Sequence, residues 1–123
     1  MPNTVEKVNF TTRVLGPVAS YRLENRQVAQ SLRSESDSVT NGILLGRVSA
    51  GDRLEVALDL TLVGHAELVS MDAVHWELLG IADAHRGGFD TLEDLELALK
   101  RAGYRFKPLN EYLLFRIQFS WLE

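Results

Sequence analysis

Gly51-Asp52-Arg53-Leu54-Glu55-Val56-Ala57-Leu58-Asp59-Leu60 decides the fold. Gly51-Asp52 is a turn signal, and the residues after it alternate. Leu54, Val56, Leu58 and Leu60 face one way while Glu55, Ala57 and Asp59 face the other, the two-residue period of a half-buried strand. The pattern continues towards Val69 but is interrupted at Gly64, where a bulge or bend is expected. Downstream, Ser70 or Asp72 is placed to cap a short helix carrying Val74, Trp76, Leu78 and Leu79. A second helical stretch follows over residues 81–85 and ends at Gly87-Gly88.

The clearest helix covers residues 91–102. Asp90 is a candidate N-cap, with Glu93 three residues on as in a capping box, and Gly103 suits the position just past the C-terminus. Glu93, Asp94 and Glu96 fill the first turns and Lys100 and Arg101 the last, which matches the helix dipole. Leu92, Leu95, Leu97 and Leu99 supply the expected buried stripe. Pro108 lies in a loop before a terminal strand, in which Leu113, Phe115, Ile117, Phe119 and Trp121 alternate with Leu114, Arg116, Gln118 and Ser120.

On the N-terminal side, Val8, Phe10, Thr12 and Val14 alternate with Asn9, Thr11 and Arg13, so a strand is expected up to the break at Gly16-Pro17. Residues 21–33 read as a short helix with Val28, Ala29 and Leu32 on its apolar side. On that helix Arg22, Arg26 and Arg33 fall close to one face. Residues 34–38 are a polar surface loop, and residues 42–46 are a strand or turn between glycines. Strands, then helices, then a final strand imply an α+β domain with a closed or nearly closed sheet. The 123 residues make one domain, 1–123, with neither repeat nor linker.

Composition bounds the function. The chain has no cysteine, which removes thiol nucleophiles and thiolate metal sites. No uncharged apolar run approaches the ~18 residues of a membrane span. Met1 to Lys7 are polar and carry no apolar leader segment, so a cytoplasmic address is expected. The net charge of −4 is unevenly spread: residues 51–98 hold two basic and eleven acidic side chains, whereas both flanking segments are basic. Ten of the thirteen cations are Arg, whose planar fork suits phosphates and carboxylates. A fold that joined the ends would gain a basic face; the plainer alternative is pairing with Asp and Glu across the surface.

The stretch from Gly51 to Trp121 resembles the ASCH domain of the PUA-like superfamily of small β-barrels. The likeness rests on the Gly51-Asp52 turn into a strand and on a second strand, His65-Ala66-Glu67-Leu68-Val69, running towards a short helix. It rests also on Asp83-Ala84-His85-Arg86-Gly87-Gly88-Phe89-Asp90 before an amphipathic helix, and on the terminal Phe119-Ser120-Trp121-Leu122. It implies a barrel of about five or six strands with two or three short helices. It further implies binding of RNA or a modified nucleoside in a cleft beside the barrel. Some ASCH-like proteins are amidohydrolases of acylated cytidines, with a Lys and a Thr in a Gly-x-Lys-Thr-x-Thr segment and a Glu before the central helix. Here the nearest segment is Gly16-Pro17-Val18-Ala19-Ser20-Tyr21-Arg22, which holds no lysine; Ser20 and Arg22 stand for the Thr and a following Arg. Gly87 occupies the place of the Glu.

The expectation is therefore a non-catalytic domain that binds RNA, a single-stranded nucleic acid or a nucleoside-like ligand, with no cofactor. Its site residues are Ser20, Arg22, Arg26, Arg33, Tyr104, Arg105 and Lys107: the guanidiniums follow phosphates and Tyr104 stacks on a base. No catalytic residue is assigned. His65, His75 and His85 lack the spacing of a metal site, and no metal is expected. One alternative is an amidohydrolase built from Ser20, Arg22, Asp83 and Asp90. Another is a protein-interaction module that meets a basic partner with the acidic strip from Asp83 to Glu96.

Overall fold

A computed structural model describes residues 6–105 and 113–122. Five strands form one mixed sheet: β1 (Glu6–Phe10), β2 (Gln30–Arg33), β3 (Arg53–Leu58), β4 (Thr61–Val74) and β5 (Leu114–Trp121). Their order is β1-β3-β4-β5-β2, with β1 parallel to β3 and the other pairs antiparallel. The long strand β4 changes register twice, beside Gly64 and between Leu68 and Ser70, and each bulge sharpens its bend. The sheet curls into a half-barrel, so that its two edge strands, β1 and β2, approach each other. Arg33 spans the opening: its Nη2 donates to the Asn9 carbonyl at 2.6 Å, and its guanidinium lies 5.2 Å from the Phe10 ring centre. The architecture is a small α+β half-barrel, in keeping with the barrel that the resemblance implies.

Helices α1 (Thr12–Glu24), α2 (Ser38–Leu44), α3 (Ile81–Arg86) and α4 (Leu92–Arg101) accompany the sheet, with a 3-10 turn at Trp76–Leu78. Four helices stand among the described residues, where two or three short ones were expected. Val8, Leu54, Val56, Ala66, Leu114 and Ile117 of the sheet are buried with Leu23 of α1 and Leu95 and Leu99 of α4, in one continuous core.

Several local expectations are corrected. Thr12 and Val14 belong to α1, not to a strand, because the Thr11 hydroxyl accepts the Val14 N–H and the Asp59 carboxylate takes the Thr12 N–H at 3.0 Å. Helix α1 is interrupted at Gly16, whose φ of +79° puts a break before Pro17. Residues 21–33 are not one helix: α1 stops at Glu24, Arg26 takes a left-handed φ of +59°, and Gln30–Arg33 pair with β5 instead. Residues 42–44 close α2, which Asp37 caps by accepting the Thr40 N–H. β4 runs on to Val74, through the helix start expected at Ser70 or Asp72. Thr91, not Asp90, caps α4 and accepts the Asp94 N–H. Ala98 replaces Leu97 in the buried stripe, and Leu97 is exposed. β5 opens on the buried Leu114, and Leu113, expected on its apolar side, lies just before it and is exposed.

Candidate binding pocket at the barrel seam

Where β1 and β2 approach, the sheet leaves a pocket of about 190 Å³. Asn9, Phe10 and Thr11 form one wall and Gln30, Ser31, Leu32 and Arg33 the other. Val14 and Leu15 of α1 and Leu95, Ala98 and Leu99 of α4 cap it, with Phe89 and Tyr104 beside them. Three aromatic rings, aliphatic walls and a few convergent polar groups are the usual make-up of a small-molecule site.

The polar groups are held by one another. Arg33 donates to Ser31 Oγ at 2.7 Å through Nε and to Asp37 Oδ1 at 3.0 Å through Nη1, besides its bond to Asn9. Asp37 in turn holds the start of α2, so the capping carboxylate also fixes the guanidinium. The Tyr104 hydroxyl accepts the Ser34 N–H at 3.1 Å. Asp83, only 4% exposed, lies at the inner end. It accepts from Gln30 Nε2 at 3.0 Å, the Gly80 N–H at 3.0 Å and Arg86 Nη2 at 3.2 Å, and its Oδ1 lies 2.8 Å from Arg116 Nε. Burial pushes the Asp83 carboxyl up, but the Gly80 and Gln30 hydrogen bonds and the Arg116 and Arg86 charges outweigh it and hold the group below its usual range. Arg33 with Asp37, and Asp83 with its two arginines, leave no uncompensated anion facing the void.

The residues singled out from sequence do not form one face. Arg33 and Tyr104 both line the pocket. Arg22 is on α1, ion-paired with Asp90 at 2.8 Å and bonded to the Gly88 carbonyl at 3.0 Å. Arg26 lies over Trp121, 5.8 Å from the ring centre, and donates to the Val63 carbonyl at 3.3 Å. Gly64 makes room for it, since a Cβ there would lie 3.0 Å from the guanidinium and 3.3 Å from the indole. Ser20 is buried on α1, and its Oγ has no hydrogen-bond partner among the described residues. Arg105 is exposed, and Lys107 lies outside the described residues. In the acidic strip, Asp83 is buried, Asp90 is paired with Arg22, and Glu96 accepts from the Trp76 indole at 3.0 Å.

Sequence reading missed Asn9, Phe10, Ser31, Asp37 and Phe89 as wall residues. No local signal pointed to them: Gln30-Ser31-Leu32-Arg33 holds a single apolar residue and shows no two-residue period against the helical reading of its neighbours. Among the described residues no cluster of His, Asp or Glu is placed to hold a metal ion. No helix among them is long and apolar enough to cross a membrane.

Two solved structures share the architecture. An ASCH domain from Lactobacillus crispatus JV V101 superposes with a TM-score of 0.59 at 16% identity, over 85% of this chain and 69% of that one. A protein from Enterococcus faecalis V583 with the family model DUF984 superposes with a TM-score of 0.61 at 13% identity, over 97% of this chain and 81% of that one. No protein-family model matches the sequence, and no curated protein does.

Proposed function

Given an ASCH-like fold with an apolar, charge-balanced pocket at its seam, we propose that the protein binds a nucleoside-like ligand there without transforming it. The observation that carries this reading is the pairing of Phe10, Phe89 and Tyr104 with the fixed donors of Arg33 in one small pocket. Aromatic walls accept a flat ring, and polar groups held in advance orient it. A nucleic-acid backbone fits less well. Arg22, Arg26 and Arg33 lie on a helix, in a turn and on a strand, and each is engaged with protein partners. Hydrolysis has little support, because every strong acceptor position of Asp83 is occupied and the residue is a poor general base.

Calorimetric titration with the four common nucleosides, and with short RNA across a salt series, tests the proposal. Nucleosides should bind with an affinity that barely changes with salt, since the pocket is neutral. Absence of nucleoside binding, or RNA binding that falls steeply with salt, would sink it, because a steep slope counts phosphate contacts.

A further inference from the structure

The pocket meets all four residues of β2, from Gln30 to Arg33. Alternate side chains of a strand point to opposite faces, so a void that touches four consecutive residues lies along the strand's edge and faces its main chain. β2 is an edge strand of the sheet. Its ladder phase follows from one bond: the Phe119 N–H donates to the Ala29 carbonyl at 3.0 Å. In the register that sets Ser31 opposite Ile117 and Arg33 opposite Phe115, the hydrogen-bonded pairs then fall on Ala29, Ser31 and Arg33. Gln30 and Leu32 turn their N–H and C=O away from β5, towards the seam. On the facing edge the Asn9 carbonyl is already taken by Arg33. Among the described residues no loop or side-chain group takes the Leu32 N–H or C=O, which leaves an adjacent donor and acceptor at the pocket.

We infer that the Leu32 main chain reads the ligand's ring. Its N–H donates to a ring acceptor and its C=O accepts from the neighbouring ring donor, as a further strand would do. This rests on the nucleoside reading and narrows it to rings with an adjacent donor and acceptor, the lactam or amidine edge of a pyrimidine or purine. Ser31 Oγ and the Tyr104 hydroxyl each already accept one N–H and keep a proton to donate, so carbonyl or ring-nitrogen acceptors suit the positions beside that edge. A phosphate does not suit it, because Arg33 is neutralised by Asp37.

The test is calorimetric titration of uridine and cytidine against 3-methyluridine and N4,N4-dimethylcytidine, with wild type, Leu32→Val and Leu32→Pro. Methylation of the edge should weaken binding about tenfold or more, the loss expected for one hydrogen bond with its partner left buried. Leu32→Val alters the pocket wall but keeps the main-chain pair, so it should keep the same ratio of parent to methylated affinity as wild type. Leu32→Pro should keep its fold, because proline is tolerated where an edge N–H lies outside the ladder, and should lose affinity to the same degree. Equal binding of parent and methylated nucleosides would overturn the main-chain assignment and leave the nucleoside reading standing. Failure of every nucleoside to bind would overturn both, and loss of the fold in Leu32→Pro would overturn the outward orientation of that N–H.

Discussion

Two residues show how far single side chains can be read from a sequence. Arg26 looks like a surface cation on a helix; it is instead a pin between the α1–β2 turn and the sheet, lying on Trp121 above Gly64. Nothing local marks it, because the indole and the glycine that receive it lie far along the chain. Gly88 reads as a simple helix stop. Its φ of +92° fits that reading, but a Cβ there would lie 2.8 Å from Val28 Cγ2 and 3.6 Å from the Ala19 Cβ. Gly88→Ala should therefore cost about 2–4 kcal/mol, combining left-handed strain with overpacking against buried neighbours. A urea titration of the variant checks this, and an unchanged midpoint would contradict the close approach of α1 to the loop before α4.

At the scale of elements, strength of pattern decided what was legible. The β3 strand, the terminal strand, α3 and α4 carry clear periods or caps and stand within a few residues of where the sequence places them. β2 and α2 do not, because their four and seven residues are too short to show a period and are fixed by partners remote in sequence. Gln30–Arg33 becomes a strand because β5 offers an edge, a tertiary effect that outweighs the helical propensity of its neighbours. Leu95, 4% exposed, anchors α4 against the core. Leu95→Ala should cost about 2–5 kcal/mol, depending on how far the cavity collapses, as read from the shift in unfolding midpoint. A change near zero would mean that α4 is not packed on the barrel.

For the whole molecule, Asp83 joins the layers, since Gln30 of β2, Arg116 of β5 and Arg86 of α3 all converge on one buried carboxylate. Asp83→Ala should cost about 3–5 kcal/mol, because it strands arginines that the fold has partly desolvated. The carboxyl is held below its ordinary range in the folded state. Its contribution to stability is therefore complete above the unfolded carboxyl value of about 4 and is lost as pH falls through the folded value. Unfolding midpoints measured from pH 7 to pH 2 should decline less steeply at the acid end in Asp83→Ala than in wild type. Parallel curves would show that this group does not set the acid limit. The same convergence explains why the barrel was legible and its pocket was not. The sheet follows from strand patterns, whereas the pocket arises from how two short edges meet.

The most direct measurement is an amide chemical-shift titration of the protein with uridine. The binding account predicts saturable shifts confined to the seam, at Asn9, Ser31, Leu32, Arg33 and Tyr104, with the outer face of β4 unmoved. An unchanged spectrum at saturating nucleoside, or shifts that track Arg22 and Arg26 and leave the seam untouched, would contradict it.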